Sequence, residues 1–270
     1  MKTSRKYREV LRDARRIVVK IGTRVLVQKN GRQEKQRIRA LVRDIAGLRR
    51  GGREVVIVTS GAIGAGMEAL GITTRPKELH DLQMAAAVGQ CRLMARYDEL
   101  FQKERCSVGQ VLLTHDNFRH KVRIANMRRT LESLLRKNVI PIINENDVVS
   151  SEEIRADMAF GDNDMLSALV VKLIRADVLI ILTTVDGVLA DQNGKRSRIR
   201  CIESITRNTF KLVSSSKDPL SRGGMMTKLK AAQAVSRAGS AVVIADGRRA
   251  GMISRIVGGD DVGTFVLPSG

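Results

Sequence analysis

The sequence predicts an α/β fold in which a mostly parallel sheet is covered by helices on both faces. Short apolar runs rich in Val and Ile alternate along the chain with longer segments of helical periodicity. Polar clusters or glycine turns follow several of these runs, as at the carboxyl edge of an open α/β sheet. The 270 residues are enough for one large domain of this kind or for two small lobes.

In the first half of the chain this alternation sets the order of the elements. Strands are predicted at 17–21, 54–59 and 108–113, where aliphatic residues form short continuous runs. Helices are predicted at 35–50, which is amphipathic and closed by two glycines, at 78–104 and at 117–137. Small residues dominate 60–66, so backbone N–H groups there can approach an anion at a helix N-terminus.

The stretch 138–169 organises the functional interpretation. An apolar strand at 139–143 gives way to Asn144-Glu145-Asn146-Asp147, and a second cluster, Gly161-Asp162-Asn163-Asp164, leads into an apolar helix. Asx turns and helix caps would explain either cluster by itself, because Asp and Asn serve well in both. Two clusters in one strand–helix unit favour a ligand site at the carboxyl edge of the sheet.

The second half continues the alternation. Strands are predicted at 178–182, 240–245 and 264–267, and an exposed hairpin at 185–200 with its turn at 191–194. Residues 211–221 are predicted to form a serine-rich polar loop. The segment Arg222–Lys228 would then lead into a helix that ends at 238, which places Gly223-Gly224 and Lys228 near a helix start.

Composition excludes several classes of protein. Aromatic residues are only 3% and Trp is absent, so the core must be aliphatic, and no apolar run approaches the roughly 18 residues of a membrane helix. The basic start of the chain contains Glu9 and Asp13 and lacks the apolar core of a targeting peptide. Three scattered cysteines without a CxxC pair favour a reducing, cytoplasmic setting. The three histidines are not grouped with other residues that could bind zinc.

The net charge of +20 admits two interpretations. Arg and Lys concentrate at 2–16 and 29–53, and helical spacing puts many of the second set on one polar face, as on a solvated surface. A basic stripe is also the electrostatic footprint of nucleic-acid binding. No aromatic residues interleave with the basic ones, and no nucleic-acid motif is present, so specific nucleic-acid binding is not expected.

Glycine turns and lysines at three strand ends indicate phosphoryl transfer. Lys20 precedes the turn Gly22-Thr23, Ser60 opens the small-residue stretch, and Lys228 follows Gly223-Gly224. Two lysines could neutralise a transferring phosphoryl group while backbone amides hold the rest. The spacings match neither GxGxxG nor the Walker A motif, which weakens the case for a dehydrogenase or a P-loop ATPase. No general base is needed if the acceptor is a carboxylate, which is ionised at neutral pH.

Eight segments carry a resemblance to a known family. In chain order they are VVKIGTRVL, VIVTSGAIGAGMEALG, AAAVGQCRLM, VGQVLLT, PIINENDVV, FGDNDMLSALV, LTTVDGVL and RGGMMTKLKAA. Together they resemble the glutamate 5-kinase family of amino-acid kinases over about residues 17–267. The resemblance implies a three-layer αβα sandwich and transfer of the ATP γ-phosphate to the side-chain carboxylate of L-glutamate, the first step of proline biosynthesis. Mg²⁺ is implied with ATP.

The same resemblance implies roles for individual residues. Lys20, Lys228 and Asp164 are the expected catalytic group, with Asp164 holding the lysines in place. Substrate binding is expected from Ser60, Asp147, Asp162 and Asn163. ATP binding is expected from Lys20, Thr183, Thr184, Arg222, Gly223, Gly224, Met225, Met226, Thr227 and Lys228. No protein metal site is expected.

Several departures and alternatives qualify this interpretation. The family usually has Thr-Asp where this chain has Thr183-Thr184, and the loop at 115–123 is less acidic than usual.

The expected organisation is a basic extension at 1–16 and one kinase domain at 17–267, with an acceptor lobe to about 177, a nucleotide lobe after it and no PUA domain. A homo-oligomer and feedback inhibition by proline are implied as well. The alternatives are a family member acting on another small acid, or a non-catalytic nucleic-acid-binding protein on the same fold.

Overall fold

Parallel aliphatic strands form the centre of the molecule. The structure, a computed structural model, describes residues 8–27, 34–149, 162–192, 195–214 and 219–269. The strands are β1 (Arg16–Ile21), β2 (Glu54–Thr59), β3 (Val108–Leu113), β4 (Ile140–Glu145), β5 (Val178–Thr183), β6 (Leu189–Gln192), β7 (Lys195–Arg198), β8 (Cys201–Ile202), β9 (Ala241–Asp246) and β10 (Thr264–Val266). Eight of them form one sheet in the order β3-β4-β2-β1-β5-β9-β10-β8. Neighbours run parallel except β10 against β9, and β6 and β7 form a separate antiparallel hairpin.

Helices follow the strands in the alternating pattern that the sequence predicts. They are α1 (Val10–Asp13), α2 (Thr23–Leu26), α3 (Lys35–Arg50), α4 (Ala62–Ala69), α5 (Leu79–Lys103), α6 (Lys121–Arg136), α7 (Asp162–Ile174), α8 (Arg207–Ser214), α9 (Pro219–Ser236) and α10 (Met252–Val257). A 3₁₀ turn at His115–Arg119 precedes α6. Its cap is formed by Thr114 and Asn117, which separates this turn from the single helix predicted at 117–137.

Two apolar cores lie on opposite faces of the sheet. Side chains alternate along a strand, so Ile17 and Val19 of β1 belong to one core and Val18 belongs to the other. Helices α3, α5 and α10 cover the first face, and α6, α7 and α9 cover the second. The predicted three-layer α/β fold with a mostly parallel sheet is therefore confirmed.

The prediction was wrong at 211–221. Helix α8 takes up the start of that segment, because Phe210 and Val213 recur at helical spacing and pack into the second core. Helix α9 begins at Pro219, and proline is favoured in the first turn of a helix. Gly223 and Gly224 therefore lie inside α9 rather than at its start, and Lys228 lies well within the helix.

Two glycines let α4 and α5 pack in close contact beside the end of β2. A Cβ atom built on Gly66 would lie 1.7 Å from the carbonyl oxygen of Ala85, and one on Gly89 would lie 1.7 Å from that of Ala62. Only glycine fits at such distances. Gly61, with φ of 108°, provides the left-handed residue from which the chain enters α4. This packing fixes the loop that carries Ser60.

Arg8 ties the start of the described chain to its last strand. Its guanidinium donates to the carbonyl oxygens of Asp260 and Val262, both at 2.9 Å, of Arg200 at 3.0 Å and of Gly263 at 3.3 Å. The side chain is 2% exposed. Burial lowers the pKa of Arg8, and the carboxylate of Asp261 opposes that shift. Hydrogen bonds to four carbonyl groups compensate for much of the cost of burying the cation.

Candidate active site

The carboxyl ends of four neighbouring strands bring the polar clusters of the sequence together. Strands β4, β2, β1 and β5 are adjacent and parallel, so the residues that end or follow them lie at one edge of the sheet. Lys20 is the penultimate residue of β1 and shares the face of Val18, toward α7 and α9. The N-terminal residues of α7 lie above this edge and contact both β1 and β2 through their side chains.

Asp164 on α7 joins two lysines from different elements. Its Oδ1 lies 2.6 Å from Nζ of Lys20, and its Oδ2 lies 3.0 Å from Nζ of Lys228 on α9. Oδ2 also accepts a hydrogen bond from the hydroxyl of Thr227 at 2.9 Å. The Asp164 side chain is fully buried, and those of Lys20 and Lys228 are 5% and 13% exposed. Three elements distant in sequence thus share one ionic cluster.

The electrostatics of this cluster favour an anionic ligand. Burial alone would raise the pKa of Asp164, but the ammonium groups of Lys20 and Lys228 outweigh it and hold that pKa below its usual value. Burial lowers the pKa of Lys228, while Asp164 opposes the change. With Asp164 ionised and both lysines protonated, the three side chains carry one net positive charge. An approaching phosphoryl group would be attracted to it.

Asn163, the neighbour of Asp164, faces a different set of partners. Its Nδ2 donates to the carbonyl oxygen of Thr59 and to Oγ of Ser60, both at 2.8 Å, and to Oδ1 of Asn144 at 3.1 Å. Successive residues of a helix point about 100° apart, which explains why adjacent side chains serve different strands. The Oδ1 atom of Asn163 is buried, and the described residues offer it no hydrogen-bond partner.

Two residues of α5 support this polar network from behind. Gln90 accepts from Nδ2 of Asn144 at 2.8 Å, and the hydroxyl of Tyr97 lies 2.9 Å from Oγ1 of Thr59. Burial raises the pKa of Tyr97 to about 12, although its hydrogen bond with Thr59 opposes the shift. Tyr97 therefore stays neutral across the physiological range and fixes the end of β2 against α5.

A cleft of about 600 Å³ adjoins the network between α5 and the strands β3 and β4. Gln90, Glu145, Asn146 and Asp147 line it next to the polar network, and Cys91, Met94 and Leu112 contribute apolar surface. Its charged lining side chains are acidic, Asp98, Glu145 and Asp147, although the whole chain carries a net charge of +20. Such a lining suits a ligand that carries an amino group.

Comparisons with known proteins identify the family of the chain. Residues 15–246 match the Amino acid kinase family, which is most of the chain. The chain belongs to this family.

Curated relatives of this amino acid kinase are similar over nearly its whole length. Glutamate 5-kinase from Moorella thermoacetica is 42% identical over 269 residues, covering 98% of this chain and 70% of that protein. The glutamate 5-kinases of Pelobacter propionicus and Methylococcus capsulatus are each 42% identical over 264 residues, covering 97% of this chain and 70% of the relative. The predicted family is therefore confirmed.

A solved structure supports the fold. Carbamate kinase from Giardia lamblia bound to AMP-PNP superimposes with a TM-score of 0.63 and 15% identity, over 95% of this chain and 99% of that one. At this level of identity the likeness concerns the fold. Among the described residues, no helix is both long and apolar enough to cross a membrane.

The structure of this amino acid kinase chain brings together the three predicted catalytic residues and part of the predicted acceptor side. Lys20, Lys228 and Asp164 form the ionic cluster, and Ser60 and Asn163 are hydrogen-bonded to each other. The remaining candidates of the acceptor side and of β5 lie apart from these contacts: Asp147 lines the cleft, and Thr183 and Thr184 lie half-buried at the end of β5.

The candidate residues on α9 face different partners, although the sequence predicts one shared role for them. The hydroxyl of Thr227 points at Asp164, while Met225 and Met226 pack in the second core. The carbonyl oxygen of Gly224 accepts from Nζ of Lys228 at 3.0 Å. Because Gly223 and Gly224 lie inside the helix, their position does not offer the free N–H groups of a helix start. The side chains of Asp162 and Arg222 lie outside the described residues.

Sequence reasoning missed three supporting residues, Gln90, Asn144 and Tyr97. The signal for Gln90 was present in AAAVGQCRLM, and Asn144 opens the first polar cluster. Their contacts depend on how α5 packs against β2 and β4, which sequence spacing does not reveal.

Proposed function

We propose that this chain catalyses the ATP-dependent phosphorylation of the side-chain carboxylate of L-glutamate, giving L-glutamyl 5-phosphate and ADP as the first step of proline biosynthesis. The observation that carries the proposal is the Lys20–Asp164–Lys228 cluster directly beside the Asn163–Ser60 pair. One part suits a transferring phosphoryl group, and the other offers hydrogen bonds to a small polar acceptor. The names of relatives at 42% identity support the same reaction.

The proposed reaction needs no proton transfer. An oxygen of the glutamate side-chain carboxylate attacks the γ-phosphorus, the bond from that phosphorus to the bridging oxygen breaks, and the electron pair leaves with ADP. The carboxylate is already ionised at neutral pH. The main obstacle is the repulsion between two anions, which positioning and electrostatic stabilisation reduce.

Lys20 and Lys228 would supply the stabilising charge from two sides of the γ-phosphate. Asp164 would act through them, because its carboxylate fixes both ammonium groups in place. Mg²⁺ would arrive with ATP as part of the nucleotide substrate. The described residues contain no group of three or more His, Cys, Asp or Glu side chains that could hold a metal ion. Such an ion would be held largely by phosphates and water.

The acceptor would lie on the side of Asn163 and the acidic cleft. The hydroxyl of Ser60 can donate to one of its carboxylates. Oδ1 of Asn163, which has no partner among the described residues, and the carboxylate of Asp147 can accept from its α-ammonium group. Asp162 is proposed to shape the same pocket. Thr183, Thr184 and the segment 222–228 are proposed to bind the nucleotide, although Met225 and Met226 would contribute through packing. A homo-oligomer, cytoplasmic location and feedback inhibition by proline are proposed with the function.

The decisive experiment measures both products with a panel of acids. Purified protein with MgATP should release ADP with L-glutamate, and trapping with hydroxylamine should yield the γ-glutamyl hydroxamate. Aspartate, glutarate, N-acetylglutamate and carbamate should react at least about 100-fold less efficiently, because buried polar groups would be left without partners. Equal turnover of glutarate or N-acetylglutamate would refute the glutamate pocket in favour of another small-acid kinase.

Variants of the acceptor side test the assignment of the pocket. Asp147→Ala and Asn163→Ala should raise the KM for glutamate by about 10-fold or more, with little change in the KM for ATP. Asp98→Ala is the matched control, since Asp98 lines the same cleft on α5. If Asp98→Ala raises the KM for glutamate as much as Asp147→Ala does, the ammonium contact of Asp147 is wrong.

A further inference from the structure

The short helix α2 is packed between the loop that follows β2 and the loop that follows β9. Its apolar residues Val25 and Leu26 are 0% and 2% exposed. A Cβ atom built on Gly247 would lie 3.0 Å from Cγ1 of Val25, and one on Gly61 would lie 3.8 Å from Cδ1 of Leu26. Gly247 follows β9 and Gly61 follows β2, so α2 is packed against both loops.

The turn before α2 passes close to the ionic cluster. Gly22 joins β1 to α2, and its N–H donates to the carbonyl oxygen of Leu182 at 3.3 Å. A Cβ atom built on Gly22 would lie 3.6 Å from Nζ of Lys20. The segment that carries α2 therefore starts beside one of the two ammonium groups of the ionic cluster.

Arg24 is the cationic residue of α2 and is exposed. Since Val25 and Leu26 occupy the buried side of this single turn, Arg24 lies on its open side. Burial lowers the pKa of Lys228 most, and the positive charges of Lys20 and Arg24 add to that shift. Arg24 therefore lies within electrostatic range of Lys228.

Several other arginines of the described chain have carboxylate partners. Arg123 lies 2.7 Å from Asp116, Arg248 lies 2.7 Å from Asp246, and Arg50 lies 3.1 Å from Glu104. Across the described ranges, Arg24 makes no hydrogen bond or ion pair, although it lies at the edge of the sheet where the charged side chains converge. Its guanidinium is available to a ligand.

We propose that Arg24 binds the polyphosphate of ATP from the solvent side, as a third cationic group beside Lys20 and Lys228. This inference rests on the proposed function, which places a nucleotide at the cluster. The two lysines and Asp164 carry only one net positive charge, whereas the polyphosphate carries several negative ones. A guanidinium can engage two phosphate oxygens through two parallel N–H groups held in one plane, a fixed bidentate geometry that an ammonium group lacks.

Equilibrium binding of ATP, ADP and AMP by calorimetry tests the proposal without turnover. Arg24→Met should weaken ATP binding about 10- to 100-fold, as expected for the loss of charged hydrogen bonds, and leave AMP binding within about 2-fold of wild type. Arg24→Lys should recover part of the loss because it retains the charge. Arg39→Met is the matched control, because Arg39 is exposed on α3 and, like Arg24, makes no hydrogen bond or ion pair with the described part of the chain.

Steady-state kinetics separate this role from acceptor binding. In Arg24→Met the KM for glutamate should change by less than about 2-fold while kcat/KM for ATP falls with the binding loss. ATP affinity within 2-fold of wild type, or an equal loss for ATP and AMP, would overturn the proposal. A raised KM for glutamate with unchanged ATP affinity would also overturn it. A wild-type protein that binds ATP but does not phosphorylate glutamate would refute the proposed function and leave the Arg24 result standing; one that does not bind ATP would refute both.

Discussion

Replacement of Asp164 by Asn should separate the stabilising role of the ionic cluster from its proposed catalytic role. Asp164 is fully buried, and its two oxygens contact Lys20, Lys228 and Thr227 within 2.6–3.0 Å. Asparagine has nearly the same shape but carries no charge, and its NH₂ group would face an ammonium group. The two lysines would therefore remain buried without a counter-charge.

The expected loss of stability follows from this arrangement. Breaking a buried ion pair by removing one partner costs about 3–5 kcal/mol in the free energy of unfolding. In a domain of about this size each kcal/mol shifts Tm by about 2–4 °C, so Tm should fall by roughly 6–20 °C. Turnover should fall by about 10²- to 10³-fold, because the ammonium groups would no longer be held where charge develops.

Thermal unfolding and steady-state kinetics of three variants make the test specific. Ser167→Ala is the control, since Ser167 is buried on the same helix and its hydroxyl donates to the carbonyl oxygen of Asp164 at 2.6 Å. Losing that neutral hydrogen bond should cost about 1 kcal/mol. The double variant Asp164→Asn with Lys228→Met should be more stable than Asp164→Asn, because it removes one uncompensated charge.

The pH dependence supplies an independent check. The folded-state pKa of Asp164 is lowered, so its stabilisation is present above the unfolded value of about 3.9 and is lost as the pH falls through the folded value. The difference between wild type and Asp164→Asn should therefore shrink in acid. A variant as stable as Ser167→Ala, with near-wild-type turnover at neutral pH, would refute the role of the cluster.

Three further predictions concern single side chains. Lys228→Ala should lower kcat by about 10²- to 10³-fold with the fold intact, whereas Lys230→Ala, exposed on the same helix, should retain activity; near-wild-type kcat in the first variant would contradict the phosphate contact. The pKa of Tyr97 is raised to about 12, so its contribution to stability should be complete below about pH 10 and decline above it, and Tyr97→Phe should abolish that decline in unfolding measurements. Gly89→Ala should destabilise the protein by about 3 kcal/mol or more, because its Cβ would meet a carbonyl oxygen at 1.7 Å. Gly64→Ala, where nothing lies within 4 Å of the new Cβ, should instead gain about 0.5–1 kcal/mol, and equal unfolding free energies for the two variants would refute the packing argument.

The helices and strands were predictable where one sequence pattern, an aliphatic run or an amphipathic period, dominated the segment. Strands β2 and β3 match the predicted 54–59 and 108–113 to the residue, because aliphatic runs there are bounded by glycine or polar residues. Helix α3 matches 35–50 for the same reason, with an apolar face and a glycine end. The loop prediction for 211–221 was wrong because the segment is rich in serine, and because the apolar residues that build α8 lie partly before it.

The candidate site was predictable as a set of residues but not as a set of contacts. Lys20 lies near the end of β1 and Asp164 belongs to the second polar cluster, so their convergence could be expected from parallel topology. Lys228 reaches them from inside α9, which that topology does not predict. The contact of Thr227 with Asp164 and the packing of Met225 in the core both depend on where α9 begins. The prediction from the sequence placed that start too late. The position of Arg24 depends on how Val25 and Leu26 dock, a long-range contact that no local pattern specifies.

The buried guanidinium of Arg8 also bears on the order of events during synthesis. Its acceptors belong to residues 200 and 260–263, between 192 and 255 positions later in the chain. On the ribosome Arg8 would emerge early and remain solvated until nearly the whole domain had been translated. Because the entropy of closing so long a loop is lost before these contacts form, we expect Arg8 to dock late in folding. A nascent chain halted before residue 260 would already contain the residues of the ionic cluster, while Arg8, next to helix α1, would still lack most of its acceptors.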